Sequence, residues 1–245
     1  MTIIRQLAFA CALLALIQAT ACAQKSSTAR KPEPNRVAAS ETTPGAIFHD
    51  VPEKVDVKAR YLFYLHGRII EEKGIRPTDA RFGVYEYEQI LDALSREGFL
   101  VISEARAKGT DPKEYAQKVA GQIQTLLQKN VPPQNITVVG ASKGAIITMI
   151  VSTALKNREV NFVIMSNCND WVLENFDVDL YGNVLSIYDY KDEFGQTCRK
   201  IFDKASGLNR SKEIVLQLGT GHAVLYKPLR EWIDPATQWA KGSLQ

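Results

Sequence analysis

The chain has 245 residues, 45% of them hydrophobic, so it is long enough for one globular domain with a large core but short for two. Its 30 basic and 27 acidic side chains give a formal net charge of +3 and form no block of like charges, which argues against a nucleic-acid partner. The sequence has no zinc-finger spacing, P-loop or G-x-G-x-x-G motif, so we expect neither a metal nor a nucleotide cofactor.

The first 23 residues have the pattern of a signal peptide. A basic residue precedes an apolar run over Leu7–Ile17, which is shorter than the roughly 20 residues that a membrane-spanning helix needs. Small residues in an A-x-A-like arrangement favour cleavage before Gln24. The same region is similar to a bacterial lipoprotein box in which Cys22 would carry lipid, and both alternatives stay open. We therefore expect an exported protein, periplasmic or secreted, that contacts a membrane only if Cys22 is lipidated.

Residues 24–45 are rich in Lys, Ser, Thr, Pro and Ala and have almost no large apolar side chain, which predicts a disordered linker. From Ile47 onward, short β-branched or aromatic runs alternate with amphipathic stretches. The runs predict strands at Ala46–His49, Tyr61–Leu65, Phe99–Ser103, Ile136–Val139, Phe162–Met165, Val184–Tyr188 and Ile214–Leu218. Several of them are apolar throughout, as expected for strands that helices cover on both faces.

The stretches between the strands predict helices at Tyr85–Arg96, Pro112–Lys129, Lys143–Lys156, Arg199–Ala205 and Leu225–Trp239. This repeated alternation of strand and helix predicts an α/β fold with a doubly wound, mostly parallel sheet. Ligands of such sheets bind beyond the carboxyl ends of the strands. We therefore look for chemistry in the residues that follow each strand.

Two cysteines, Cys168 and Cys198, remain in the domain after the signal segment. In an oxidising compartment they are candidates for a disulfide, and the alternative is a pair of buried free thiols. Neither follows a strand in a turn typical of a nucleophile, so we do not expect a catalytic cysteine.

The segment Ile136-Thr-Val-Val-Gly-Ala-Ser-Lys-Gly-Ala contains a G-x-S-x-G motif between a predicted strand and a predicted helix. A serine on so sharp a turn is held in a strained backbone conformation that exposes its hydroxyl, and Gly140 and Gly144 let the strand and the helix approach. Ser142 is therefore the candidate nucleophile. The alternative is a glycine-rich turn that serves packing alone.

A second segment, Tyr61-Leu-Phe-Tyr-Leu-His-Gly-Arg68, resembles the third strand and the His-Gly oxyanion turn of the α/β-hydrolase superfamily. With the Ser142 motif downstream, residues 46–245 as a whole resemble a compact esterase- or lipase-like member without a large cap domain. The resemblance implies a three-layer α/β/α sandwich. It also implies an oxyanion hole formed by the backbone N–H groups of Arg68 and Lys143.

A serine nucleophile needs a base, and the chain has three histidines. His49 lies in an early strand and His66 in the oxyanion turn. His222 follows the last predicted strand in a glycine-rich loop, which is where the family carries its base. We therefore predict that His222 deprotonates Ser142.

The acid of the triad is expected after the penultimate strand. Asp192 matches the position of the family's aspartate, although Asp189 stands where the family pattern has glycine and is the alternative acid. Glu193 ranks behind both, and Asp170 and Asp177 follow an earlier strand. The order Ser142, Asp192, His222 is the order of the triad in α/β-hydrolases.

These residues predict a hydrolase that acts on a small-molecule ester or related acyl compound through an acyl-enzyme. The segment from Arg68 to Gly83 is polar and leaves no room for a large lid, which favours an open esterase over a lipase. Arg68, Lys143, Glu104 and Arg106 follow strands at the expected catalytic edge, so a polar or anionic substrate is a further hypothesis. The rival interpretations are an inactive binding protein at the cell surface, and an acyltransferase or peptidase that uses the same triad. The sequence does not determine the oligomeric state.

Overall fold

The structure, a computed structural model, describes residues 45–244. The predictions of the signal peptide, of lipidation at Cys22 and of the linker up to residue 44 lie outside the described residues. The predicted domain, residues 46–245, lies within the described residues except for Gln245.

A seven-stranded sheet forms the middle layer. Its strands are β1 (Ile47–Phe48), β2 (Arg60–Leu65), β5 (Phe99–Ile102), β6 (Ile136–Ala141), β7 (Asn161–Met165), β8 (Tyr181–Asp189) and β9 (Gly207–Leu216). They pair in the order β1-β5-β2-β6-β7-β8-β9, and every pair is parallel. A separate antiparallel hairpin is formed by β3 (Thr78–Asp79) and β4 (Gly83–Val84).

Helices cover both faces of this sheet. They are α1 (Arg68–Lys73), α2 (Tyr87–Arg96), α3 (Pro112–Gln128), α4 (Lys143–Leu155), α5 (Asp170–Asn175), α6 (Arg199–Lys204) and α7 (Arg230–Ala240). One core cluster joins the sheet to α3, α4, α5 and α6, and the other joins it to α1, α2 and α7. The predicted three-layer, doubly wound α/β architecture is therefore confirmed.

The central strands are apolar throughout because both of their faces are covered. In β2, Phe63 belongs to one core cluster while its neighbours Leu62 and Tyr64 belong to the other. Successive side chains of a strand point to opposite faces, so each buried strand contributes to two cores. The predicted apolar runs correspond to these strands, and the polar residues that follow them lie at one edge of the sheet.

Three predicted elements differ from the structure. The predicted helix Leu225–Trp239 is divided: Gly221–Tyr226 forms a 3₁₀ helix, and α7 begins after Pro228, which has no backbone N–H to continue the first helix. β9 begins seven residues earlier than the predicted strand, because an edge strand with one exposed face carries polar residues. The segment from Arg68 to Gly83, for which no helix or strand was predicted, contains α1 and the β3–β4 hairpin.

The predicted disulfide between Cys168 and Cys198 is present. Both residues are almost fully buried, and they connect the segment after β7 to the start of α6 across 30 positions of sequence. Among the described residues, no helix is long and apolar enough to cross a membrane.

Candidate active site

Ser142 stands at the sharp turn between β6 and α4. Its backbone has a φ of 55° and a ψ of −118°, a region that residues other than glycine rarely adopt. The flanking glycines make this turn sterically feasible. A Cβ on Gly144 would lie 1.8 Å from the carbonyl oxygen of Leu65, and a Cβ on Gly140 would lie 2.2 Å from that of Gly144. The turn therefore presents the serine side chain beyond the carboxyl end of the sheet.

His222 lies in the 3₁₀ helix that follows β9, and its ring faces Ser142. Its Nε2 atom is 3.0 Å from the hydroxyl oxygen of Ser142. Two aromatic rings hold the imidazole in place, since the ring centres of Phe194 and Phe82 lie 4.9 Å and 5.9 Å from its centre. The histidine is thus positioned to accept the serine proton.

Asp192, in the loop after β8, faces the opposite nitrogen of the imidazole. Its two carboxylate oxygens lie 3.1 Å and 3.0 Å from Nδ1 of His222. One of these oxygens also accepts the backbone N–H groups of Phe194 at 2.9 Å and Gly195 at 3.1 Å. Burial alone would raise the pKa of Asp192, but the hydrogen bond and charge interaction with His222, together with the hydrogen bond from Phe194 and the nearby Ser166 hydroxyl, lower that pKa below its usual value. The carboxylate therefore stays ionised and orients the imidazole.

Asp189, the alternative acid, is fully buried and has different partners. Its carboxylate accepts four backbone N–H groups: those of Lys191, Leu218, Gly219 and Gly221, at 2.9 Å to 3.1 Å. The first belongs to the loop that carries Asp192, and the other three to the loop that carries His222. Asp189 thus ties these two loops together. The contact with the imidazole is made by Asp192.

Two of the other acids considered from the sequence, Glu193 and Asp170, make ion pairs with basic side chains. Glu193 pairs with Arg81 at 3.8 Å, and Asp170 pairs with Lys200 at 2.6 Å. These pairs are exposed on the surface, where such interactions contribute little.

The predicted oxyanion turn after β2 lies against Ser142. A Cβ on Gly67 would lie 3.5 Å from that of Ser142. The carbonyl of Gly67 accepts a hydrogen bond of 2.8 Å from Nδ1 of the buried His66, while Nε2 of His66 accepts the backbone N–H of Arg106 at 2.9 Å. Burial, reinforced by the charge of Arg106, lowers the pKa of His66 to about 3. A neutral His66 therefore holds the peptide between Gly67 and Arg68, whose N–H is the predicted oxyanion donor.

The four charged residues expected at the catalytic edge do not all line the cleft. Arg106 is buried and pairs with Glu71 at 2.8 Å, and Glu104 pairs with Lys118 at 2.5 Å. Neither Arg106 nor Glu104 lines the cleft, so these two residues do not support the hypothesis of a polar or anionic substrate. Arg68 and Lys143 do line it. The ion pairs of Arg106 with Glu71 and of Glu104 with Lys118 could not be predicted from the sequence, because the partners are far apart along the chain.

A cleft of about 510 Å³ opens above Ser142 and His222. Its apolar wall contains residues from six separate segments, namely Ile69, Phe82, Ile146, Trp171, Phe194 and Tyr226. The polar part of the wall includes Arg68, Glu72, Lys73, Asp79 and Arg81. The sequence analysis did not identify Phe82, which reaches the cleft from the tip of the short β3–β4 hairpin. Within residues 45–244, no group of three or more His, Cys, Asp or Glu side chains is arranged to hold a metal ion.

No protein-family model and no curated protein matches this sequence. Solved structures with a similar fold include SOBER1 from Arabidopsis thaliana, at 11% identity and a TM-score of 0.48, covering 76% of this chain and 100% of that chain. MGS-M1, an alpha/beta hydrolase enzyme from a deep-sea metagenome, has 14% identity, a TM-score of 0.48, and coverage of 80% and 89%. A lipase-esterase related protein from Clostridium acetobutylicum has 14% identity, a TM-score of 0.44, and coverage of 75% and 96%.

Proposed function

We propose that this protein, which has the α/β-hydrolase fold, is an exported serine hydrolase that cleaves carboxylic esters through an acyl-enzyme. The observation that carries the proposal is the line of hydrogen bonds from Ser142 through His222 to Asp192, with distances of 3.0 Å at both steps. The nucleophile lies on a strained turn at the carboxyl edge of the sheet. Nucleophile, base and acid thus meet the geometric requirements of a serine triad.

In the proposed reaction, Nε2 of His222 takes the proton of the Ser142 hydroxyl as Oγ attacks the carbonyl carbon. The negative charge on the carbonyl oxygen is stabilised by the backbone N–H groups of Arg68 and Lys143. His222 then gives its proton to the departing alcohol, leaving an acyl group on Ser142. A water molecule, deprotonated by the same histidine, releases the acid and restores the serine. Asp192 keeps the Nδ1 proton of His222 in place throughout.

The open cleft supports a small-molecule ester over a long-chain triacylglycerol. Its wall combines aromatic side chains with charged residues from α1 and the hairpin, and the described residues include no cap domain. An acyl acceptor other than water, or a peptide substrate, would use the same three residues. We expect ester hydrolysis to be the principal activity because the cleft above Ser142 opens to solvent.

Labelling with a fluorophosphonate tests the proposal. The purified mature protein should bind one probe per chain, and both Ser142→Ala and His222→Ala should abolish labelling. Labelling that survives Ser142→Ala would contradict the assigned nucleophile. A wild-type chain that neither binds the probe nor hydrolyses p-nitrophenyl esters would instead favour the inactive binding protein.

Export is part of the same proposal. A disulfide persists in oxidising compartments, and the pair Cys168–Cys198 agrees with the signal-peptide pattern of the first 23 residues. The intact mass of the exported protein distinguishes the two forms of maturation. A chain that begins at Gln24 indicates simple cleavage, whereas a mass that includes lipid on Cys22 indicates a membrane-anchored lipoprotein. A full-length chain retained in the cytoplasm would contradict export.

A further inference from the structure

Three charged side chains form a buried network beside the oxyanion turn. Glu71, on α1, pairs through one carboxylate oxygen with Nε of Arg106 at 2.8 Å and through the other with Nζ of Lys143 at 2.5 Å. The exposed fractions of the side chains are 1% for Glu71, 0% for Arg106 and 12% for Lys143. Desolvating three charges is costly, so an arrangement of this kind needs further contacts to hold it.

These further contacts lead to both oxyanion donors. Arg106 donates its backbone N–H to the ring of His66 and a guanidinium N–H to the carbonyl oxygen of His66. His66 in turn donates to the carbonyl of Gly67, in the peptide that carries the N–H of Arg68. At the other end, Lys143 is itself the residue whose N–H is the second donor. Its ammonium group also donates to the carbonyl of Thr110 at 2.6 Å.

The network also carries an excess of positive charge. Two cations share the single carboxylate of Glu71, and the buried His66 is neutral. Water is excluded from Arg106 and Glu71, so their charges are weakly screened there. A negative charge that develops on the substrate oxygen would be attracted to this excess.

We propose that Glu71, Arg106 and Lys143 act as positioning residues that hold the two oxyanion donors at a fixed separation and bias the oxyanion hole towards negative charge. This inference rests on the proposed serine hydrolase function. The network connects the turn after β2 and the adjoining α1 with the loop after β5 and the start of α4, and these three segments have no covalent connection to one another near the site. Its effect falls on the transition state, because the ester substrate carries no charge on the carbonyl oxygen before attack.

The test compares Lys143→Met with Lys143→Arg and with a control, Lys118→Met. Methionine removes the charge of Lys143 but keeps a similar volume and leaves Glu71 paired with Arg106. Lys118 forms an ion pair with Glu104 that is partly exposed, and neither residue lines the cleft. Active sites are counted by fluorophosphonate titration, so that a fall in kcat is measured per correctly folded enzyme.

For Lys143→Met we expect kcat for p-nitrophenyl acetate to fall about 10-fold or more, with KM changed less than about twofold. The affinity for a trifluoromethyl ketone, which forms an oxyanion on Ser142, should fall in parallel with kcat/KM. Lys143→Arg should recover part of kcat, and Lys118→Met should match the wild type. A purely packing role would lower the number of titrated sites and leave kcat per site unchanged.

An unchanged kcat and an unchanged affinity for the ketone in Lys143→Met would overturn the inference. So would an equal loss in Lys118→Met, because the effect would then follow net charge and not this network. If the wild type neither binds the fluorophosphonate nor turns over ester, the proposed function fails and the inference fails with it. An active wild type with an unaffected Lys143→Met overturns the inference alone.

Discussion

At the scale of single residues, Asp189 and Asp192 lie three positions apart but have different hydrogen-bond partners. Asp192 receives two backbone N–H groups and faces the imidazole of His222, whereas all four hydrogen bonds to Asp189 come from backbone N–H groups. Both are carboxylates near the carboxyl end of β8, Asp189 as its last residue and Asp192 in the loop that follows, so residue type alone does not distinguish them. Their different partners lead to different predicted effects of the same substitution.

We expect Asp192→Asn to lower kcat for a p-nitrophenyl ester on the order of 10³- to 10⁴-fold, because the amide favours the wrong tautomer of His222. Asp189→Asn should lower kcat far less and should reduce the free energy of unfolding by about 1 to 3 kcal/mol, since its amide group would face buried N–H donors. Steady-state kinetics and urea denaturation of the two variants measure this difference. A larger loss of turnover in Asp189→Asn would exchange their roles.

We expect His66 to make the free energy of unfolding depend on pH. Its pKa is about 3 in the folded chain and about 6.5 when unfolded, so the unfolded state binds the proton first as pH falls. The stability contributed by neutral His66 is complete above pH 6.5 and declines as pH falls towards 3. We expect a loss of about 2 kcal/mol from this residue between pH 7.5 and pH 5. Denaturation of the wild type and of His66→Asn at both values measures it, and equal pH dependence of the two chains would refute it.

At the scale of elements, the serine turn depends on the close approach of α4 to the ends of β2 and β6. The carbonyl of Leu65, in β2, occupies the space that a side chain on Gly144 would need. The carboxyl end of β2 leads directly into the predicted oxyanion turn at His66 and Gly67. A single tight contact between a helix and a strand thus brings Ser142, the proposed nucleophile, close to the predicted oxyanion turn.

Gly144→Ala should lower the free energy of unfolding by about 3 kcal/mol, because the new methyl group meets backbone that cannot rotate away. It should also lower ester turnover by displacing Ser142. Gly121→Ala is the matched control: a methyl group on Gly121, in α3, would have nothing within 4 Å, and alanine there should stabilise by up to about 1 kcal/mol. Thermal denaturation and kinetics of both variants test this prediction, which fails if the two substitutions have the same effect.

At the scale of the whole molecule, the disulfide encloses the segment that contains Asp192, the proposed triad acid. Residues 168–198 include α5, β8 and the loop with Asp192, and Asn167 and Asn169 beside Cys168 line the cleft. The cross-link therefore reduces the conformational freedom of the unfolded chain. In the folded chain it also supports one wall of the cleft.

Replacing both cysteines by serine should lower the free energy of unfolding by roughly 3 to 4 kcal/mol, the chain-entropy effect of a loop of this length. A reductant should lower the midpoint of thermal unfolding of the wild type to about that of the double variant. It should leave the midpoint of the double variant unchanged. Scanning calorimetry with and without dithiothreitol measures both. An effect of the reductant on the double variant would show that it acts elsewhere.

Local patterns in the sequence determined the order of strands and helices, the glycine–serine turn and the succession of the three candidate triad residues along the chain. Such features depend on neighbouring residues, because periodicity and turn chemistry are local. Their limits appear at Pro228, which divides the predicted last helix, and in β9, whose polar residues conceal an edge strand.

Only the tertiary structure decided which aspartate faces His222, which aromatic rings pack against it, and that Glu71 joins Arg106 to Lys143. Each of these contacts links residues that parallel strands bring together at one edge of the sheet after long stretches of intervening chain. Their partners are set by the crossing of strands and loops in space, so spacing along the chain carries no information about them. The triad could be proposed from sequence, but the network that supports its oxyanion hole required the fold.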